Sequence, residues 1–289
     1  MNIGIIGIGL MGHAFVTRFQ SQGYTVRVYN RTRDNIADLT DDGVIVCASA
    51  AELIEQSNTI ILMASDAAAI HEILHLQQAD QKPDLHNKTI LQMATISPPQ
   101  SRSIAAAVEA QGGHYLEAPV LGSIPEAKAG TLIIMAGGKR DVFDDAVQLL
   151  AVLGTSPQYI GETGSAAALK LAMNQLIAAL TAGFSLSLGY ALENGVDSDT
   201  FMDTVRASSL YAKTYDKKLD KYLSRDFGTA NFSTRHLLKD IRLFIEDAQT
   251  AGLNTDALEG IERIASATVD SDMALMDYSS IYQTICPDD

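Results

Sequence analysis

Short apolar runs and amphipathic stretches alternate through the first half of the chain, and then the alternation stops. The runs IGIIGI (3–8), TVRVY (25–29), TIILMA (59–64), TILQMA (89–94) and TLIIMAG (131–137) are bounded by turn-forming residues. Between them, stretches such as AFVTRFQSQ and SIAAAVEAQ space their apolar positions as helices do. Strands alternating with helices predict an α/β unit with a parallel sheet covered on both faces.

No strand pattern follows Gly161. The remainder reads as helices over about 164–194, 197–207, 232–251 and 255–271, with a shorter one near 210–223. The first, if continuous, spans about 45 Å at 1.5 Å per residue, enough to pass from one domain into the next. The Asn-Gly pair of NGVD (194–197) stops it, because both residues accept the left-handed conformation of a helix end. The predicted division is an α/β domain over 1–162 and an all-helical domain over 163–289 that begins with the long helix.

The first strand runs into GIGLMG (7–12), a G-x-G-x-x-G between strand and helix. In that setting each glycine has a task. Gly7 makes the tight turn, Gly9 admits a pyrophosphate, and Gly12 lets the helix lie close to the strand. Ile8, Leu10 and Met11 complete the loop, whose free amides face an anion. This is the mark of a Rossmann-type dinucleotide fold. Sites for NAD place an acid at the end of the second strand to hold the ribose 2′-hydroxyl. Here Asn30, Arg31, Thr32 and Arg33 stand there, a set suited to a 2′-phosphate. NADP(H) is therefore predicted over NAD(H). Met63, Ala64 and Ser65 end the fourth strand and are expected to line the cofactor groove.

Charge narrows the partners. The 289 residues carry a formal net charge of −14, which argues against nucleic acid and anionic membrane surfaces. The apolar segment 166–192 contains Lys170, Asn174 and Gln175, so it reads as a core helix and not a membrane span. With a strand starting almost at Met1 and only Cys47 and Cys286 as thiols, both expected free, a cytoplasmic protein is predicted. No metal-ligand spacing is present; His13, His71 and His75 read as helix-surface residues, and Tyr211 as core or surface.

Four separated motifs resemble the β-hydroxyacid dehydrogenase family, which includes 3-hydroxyisobutyrate dehydrogenases and the glyoxylate/succinic semialdehyde and tartronate semialdehyde reductases. They are GIGLMG, EAPVLGS (117–123), GETGSAAALKLAMN (161–174) and KDIRLFIEDA (239–248). The resemblance implies hydride transfer between NADP(H) and a small carboxylate-bearing hydroxyacid or its semialdehyde or keto counterpart. It makes Lys170 the catalytic acid/base, with Asn174 one turn on holding the lysine or the substrate hydroxyl. It assigns Gly122 and Ser123 to the substrate, and Thr95 and Lys239 to the cofactor. It also implies a homodimer or homotetramer. The family's Ser-Gly-Gly is Leu121-Gly122-Ser123 here, so the hydroxyl has moved two positions. Two other readings remain: an imine reductase, which Lys170 disfavours because an ammonium repels a cationic substrate, and a non-catalytic NADP-binding protein.

Overall fold

The computed structural model describes residues 2–37, 39, 43–76, 83–228 and 230–287. The chain divides into two compact units, Met1–Leu171 and Ala172–Asp289.

The first unit alternates β1 (Ile3–Ile6), α1 (Leu10–Ser21), β2 (Val26–Tyr29), β3 (Val44–Val46), α2 (Ala50–Gln56), β4 (Thr59–Leu62), α3 (Ala67–Ile73), β5 (Thr89–Gln92) and α4 (Pro98–Glu109). It continues with β6 (His114–Glu117), β7 (Val120–Leu121), α5 (Ile124–Ala129), β8 (Ile133–Gly138), α6 (Arg140–Leu153) and β9 (Gln158–Gly161). The sheet order is β3-β2-β1-β4-β5-β6-β8-β7, with β9 also on β8. Strands β1 to β6 pair in parallel, Ile3 opposite Val26 on one side and Thr59 on the other.

The TLIIMAG run departs from the all-parallel expectation. As β8 it lies antiparallel to β6, with Glu117 opposite Gly137. The link from β6 to β8 holds only two-residue β7 and six-residue α5, which do not carry the chain back across the sheet as a parallel crossover must. Apolar side chains cover both faces. Phe15 and Phe19 of α1 pack with Leu149 and Leu153 of α6 on one side. Leu53 and Ile54 of α2 pack with Ile104 and Val108 of α4 on the other.

Helix α7 (Ser165–Glu193) starts in the first unit and continues into the second. Its 29 residues lack proline and are rich in Ala and Leu, which favours an unbroken helix. By length and composition it is the one described helix able to cross a membrane. Ala178 and Ala182, on that helix, lie in a core with Leu237, Ile241 and Ile281. The second unit adds α8 (Ser198–Ala207), α9 (Lys213–Ser224), α10 (Thr234–Thr250), α11 (Asp256–Thr268) and α12 (Ile281–Ile285). Phe184 of α7 stacks on Tyr215 of α9 with ring centroids 4.3 Å apart. Sequence spacing did not predict α12. It reaches α7 because Gly189 has no side chain, and a Cβ there would stand 2.1 Å from Cys286 Sγ. Both cysteines are free thiols.

Candidate active site

The strand order reverses at β1, which has β2 on one side and β4 on the other. Doubly wound sheets bind ligands at that point, outside the strands' carboxyl ends. Gly7 leaves β1 with φ +96°, and a Cβ there would stand 2.4 Å from the Met63 carbonyl oxygen. A Cβ on Gly12 would meet the Gly7 carbonyl at 2.2 Å, whereas one on Gly9 meets nothing within 4 Å. The loop is therefore tight where it joins strand and helix and open at Gly9. No side chain caps α1 at Gly9, and Leu10 is exposed while Ile8 is buried. An uncapped helix start behind an open glycine fits a pyrophosphate.

The end of β2 separates residues that the motif groups together. Asn30 braces the loop: its Oδ1 accepts from Ile8 N at 2.9 Å and its Nδ2 donates to the Thr32 carbonyl at 2.8 Å. Arg33 lies over the Tyr29 ring and donates to the carbonyls of Cys47 at 3.1 Å and Ala48 at 2.6 Å. Arg31 is exposed, with only an open ion pair to Glu72 at 3.5 Å among the described residues. Met63 and Ala64 are half-buried, and Ser65 Oγ donates to Asp66 Oδ2 at 2.9 Å. Thr95 is half-buried between Ala94 and Ile96, two residues before Ser97 caps α4.

Gly122 and Ser123 lead into α5. Ser123 donates to one carboxylate oxygen of Glu126 twice, from its amide at 2.9 Å and its hydroxyl at 2.5 Å. This is a capping box, and it commits the donors that would otherwise meet a substrate anion.

Glu117 closes β6 and starts α7. Its Oε1 accepts from the amides of Gly164 and Ala166, each at 2.8 Å, and from Ala167 at 3.2 Å. Its Oε2 accepts from Ser101, whose hydroxyl also pairs with Tyr115. Gly137 leaves the space, since a Cβ there would stand 2.5 Å from Glu117 Oε1. Burial pushes the Glu117 carboxyl above its ordinary value, although Ser101 and the three amides oppose that rise. The carboxylate thus anchors the first turn of the helix that carries Lys170.

Farther along α7, Lys170 is half-buried and Asn174 buried. Asn174 Nδ2 donates to Asp240 Oδ2 of α10 at 2.6 Å. Lys239 Nζ lies 2.9 Å from Asp240 Oδ1, an ion pair without hydrogen-bond alignment. Asn174 Oδ1 is buried with no hydrogen-bond partner among the described residues. A buried acceptor left so costs about 1–3 kcal/mol, which a donor would recover.

Two known families match successive stretches of the chain. Residues 2–161 match the NAD binding domain of 6-phosphogluconate dehydrogenase. Residues 164–285 match the family described as NAD-binding of NADP-dependent 3-hydroxyisobutyrate dehydrogenase. The chain belongs to the β-hydroxyacid dehydrogenase family. Among relatives in this family, glyoxylate/succinic semialdehyde reductase 1 of Arabidopsis thaliana is 28% identical, covering 99% of this chain and 98% of the relative. The 2-hydroxy-3-oxopropionate reductase of Escherichia coli K12 is also 28% identical, covering 99% and 97%. The solved 3-hydroxyisobutyrate dehydrogenase of Mycobacterium tuberculosis with L-serine has the same fold, with a TM-score of 0.85 at 21% identity over 98% of each chain.

As a β-hydroxyacid dehydrogenase, the chain is an NAD(P)-dependent oxidoreductase acting on CH–OH donors. Three residues described above escape motif reading: Glu117 and Glu126 in the first unit and Asp240 in the second. Glu117 and Asp240 sit inside quoted motifs, where a buried acid beside a strand end or an apolar helix is the available signal. Glu126 is visible as the fourth residue of Ser-x-x-Glu, a capping-box spacing.

Proposed function

We propose that this β-hydroxyacid dehydrogenase uses NADP(H) in preference to NAD(H). It interconverts a small carboxylate-bearing hydroxyacid and its semialdehyde or keto counterpart, with Lys170 as general acid and base. The observation that carries the reading is on α7. A half-buried lysine precedes by one turn a buried asparagine whose amide oxygen has no hydrogen-bond partner among the described residues. A bound nicotinamide dinucleotide supplies the hydride. Lys170 stabilises the alkoxide developing on the substrate oxygen and delivers its proton; in oxidation it takes that proton back. Asn174 accepts a hydrogen bond from the ammonium or the substrate hydroxyl.

The loop Gly7, Ile8, Gly9, Leu10, Met11 and Gly12 holds the pyrophosphate. Arg31 and Thr32, exposed at the end of β2, support selection of a 2′-phosphate. Exposed Leu176, Leu180, Leu186 and Tyr190 on α7 support self-association as a homodimer or homotetramer. Free Cys47 and Cys286 suit a reducing, cytoplasmic setting.

The test is NADPH oxidation with glyoxylate, succinic semialdehyde, and methylmalonate and tartronate semialdehydes, compared with NADH. Lys170→Ala is expected to lower kcat by about 10²–10⁴-fold while cofactor affinity stays near wild type. Silence on every aldehyde, or equal losses in kcat and cofactor affinity, would overturn the proposal.

A further inference from the structure

A side-chain amide has two unlike ends, and what it offers a reacting group depends on which end is turned toward it. On α7 that choice is made from α10. The Asp240 carboxylate, 2% exposed, accepts hydrogen bonds and has none to give. The end of Asn174 lying 2.6 Å from Asp240 Oδ2 is therefore the NH₂ end. Oδ1 is left as the atom turned away from that carboxylate, buried and with no hydrogen-bond partner among the described residues. Lys239, ion-paired with Asp240 at 2.9 Å, keeps a cation beside this carboxylate.

We propose that Asp240 is a positioning residue that holds Asn174 with its carbonyl oxygen turned away from the Asp240 carboxylate, so that position 174 presents an acceptor and not a donor. This rests on the reading of Lys170 and Asn174 given above. An acceptor receives a hydrogen bond from an ammonium or from a substrate hydroxyl. The reversed amide would set N–H bonds against the Lys170 ammonium and would disfavour its charged form. Asp240 thus acts through Asn174, without meeting substrate or cofactor itself. Its partner Lys239 is the first residue of the same Lys-Asp pair, so one motif supplies both the orienting acid and its counter-ion.

The experiment is a double-mutant cycle between Asp240→Asn and Asn174→Ala, with two readouts. Asparagine at 240 can donate or accept, so it no longer dictates how Asn174 is turned. Asp240→Asn alone is expected to lower kcat by about 10²-fold with NADPH affinity unchanged, the scale of a misplaced catalytic group. In the Asn174→Ala background it is expected to add almost nothing. The second readout needs no turnover: acylation of Lys170 across pH, followed by peptide mass spectrometry, reads the ammonium's titration directly. Asp240→Asn is expected to lower that midpoint, again only when Asn174 is present.

The exchange Asn174→Asp with Asp240→Asn keeps the interhelical hydrogen bond and still presents an acceptor at 174. It is expected to recover most of the kcat lost in Asp240→Asn, and it serves if the single variant folds poorly. Equal effects of Asp240→Asn in both backgrounds would overturn the inference, as would an exchange variant no better than Asp240→Asn. A Lys170 midpoint that moves as expected in a protein silent on every hydroxyacid and aldehyde supports the orientation. It counts against the proposed reaction alone.

Discussion

Ser123 gives both its amide and its hydroxyl to a single oxygen of Glu126, at 2.9 and 2.5 Å. The loop assigned to a substrate carboxylate therefore has a carboxylate of its own already bound to its donors. An incoming anion meets committed hydrogen bonds and a like charge. Replacing Glu126 by Gln removes the charge and keeps an acceptor for the cap. The expected outcome is a rise of roughly fivefold in kcat/KM for carboxylate-bearing aldehydes over neutral ones of equal size, from about 1 kcal/mol of relieved repulsion. Steady-state kinetics on matched pairs, such as succinic semialdehyde and its amide, give the ratio. An unchanged ratio would mean that Glu126 does not face the substrate.

Gly9 and Gly12 belong to one motif but meet opposite surroundings. A methyl at position 9 meets nothing within 4 Å, whereas at position 12 it would stand 2.2 Å from the Gly7 carbonyl oxygen. Gly9→Ala is expected to leave the melting temperature nearly unchanged while weakening NADPH and NADH alike, by about tenfold or more, where the pyrophosphate must approach. Gly12→Ala is expected to lower the melting temperature as α1 is forced off the loop. Differential scanning fluorimetry beside cofactor titration separates the two. A Gly9→Ala protein with wild-type cofactor affinity would place the pyrophosphate elsewhere.

The two arginines after β2 look equivalent in YNRTR, yet their surroundings divide the work. Arg33 is committed to the carbonyls of Cys47 and Ala48, while Arg31 is exposed with a loose ion pair to Glu72. Arg31→Ala is expected to weaken NADPH by about 10- to 100-fold and NADH hardly at all, the loss of a charge-assisted bond of about 1.5–3 kcal/mol. Arg33→Ala is expected to affect both cofactors similarly and to destabilise the β2–β3 end. Isothermal titration with both nucleotides reads the difference. Equal losses on Arg31→Ala would remove its claim on the 2′-phosphate.

These contrasts mark how far the sequence reaches. Glycine spacing after an apolar strand, and the change from alternating strands to continuous helices, reflect local periodicity and backbone freedom, which a linear pattern records. The direction of β8 does not, because it depends on how the short segment from Ala118 to Leu132 turns in space. The same holds for side-chain commitments. Asn30 reads as one of a set suited to a 2′-phosphate, and the pattern does not show that its amide closes the glycine loop onto Ile8, 22 residues earlier. Asp240 carries no role in the motif as a linear pattern, yet it is buried against Asn174, 66 residues away. Pairings at that range follow from helix packing, which no window of sequence contains.

Glu117 gives the pH prediction. Burial raises its carboxyl above the ordinary 4.5, outweighing the donors from Ser101, Gly164, Ala166 and Ala167. Between 4.5 and the higher folded value, the folded chain binds more protons than the unfolded one. Stability from this group is therefore complete below 4.5 and is lost as pH rises through the folded value. Glutamine at 117 keeps an acceptor for the α7 amides and has no proton to lose. Its melting temperature is expected to gain on wild type as pH rises above about 4.5, with slope only over the interval where Glu117 ionises. Glu117→Ala lacks the acceptor and is expected to be the less stable variant at every pH, because three amides at the start of α7 lose their partner. Thermal unfolding of the three proteins across that range is the measurement. A gap between Gln and wild type that stays constant with pH would mean that Glu117 keeps one protonation state, and that its hydrogen bonds, not burial, govern its charge.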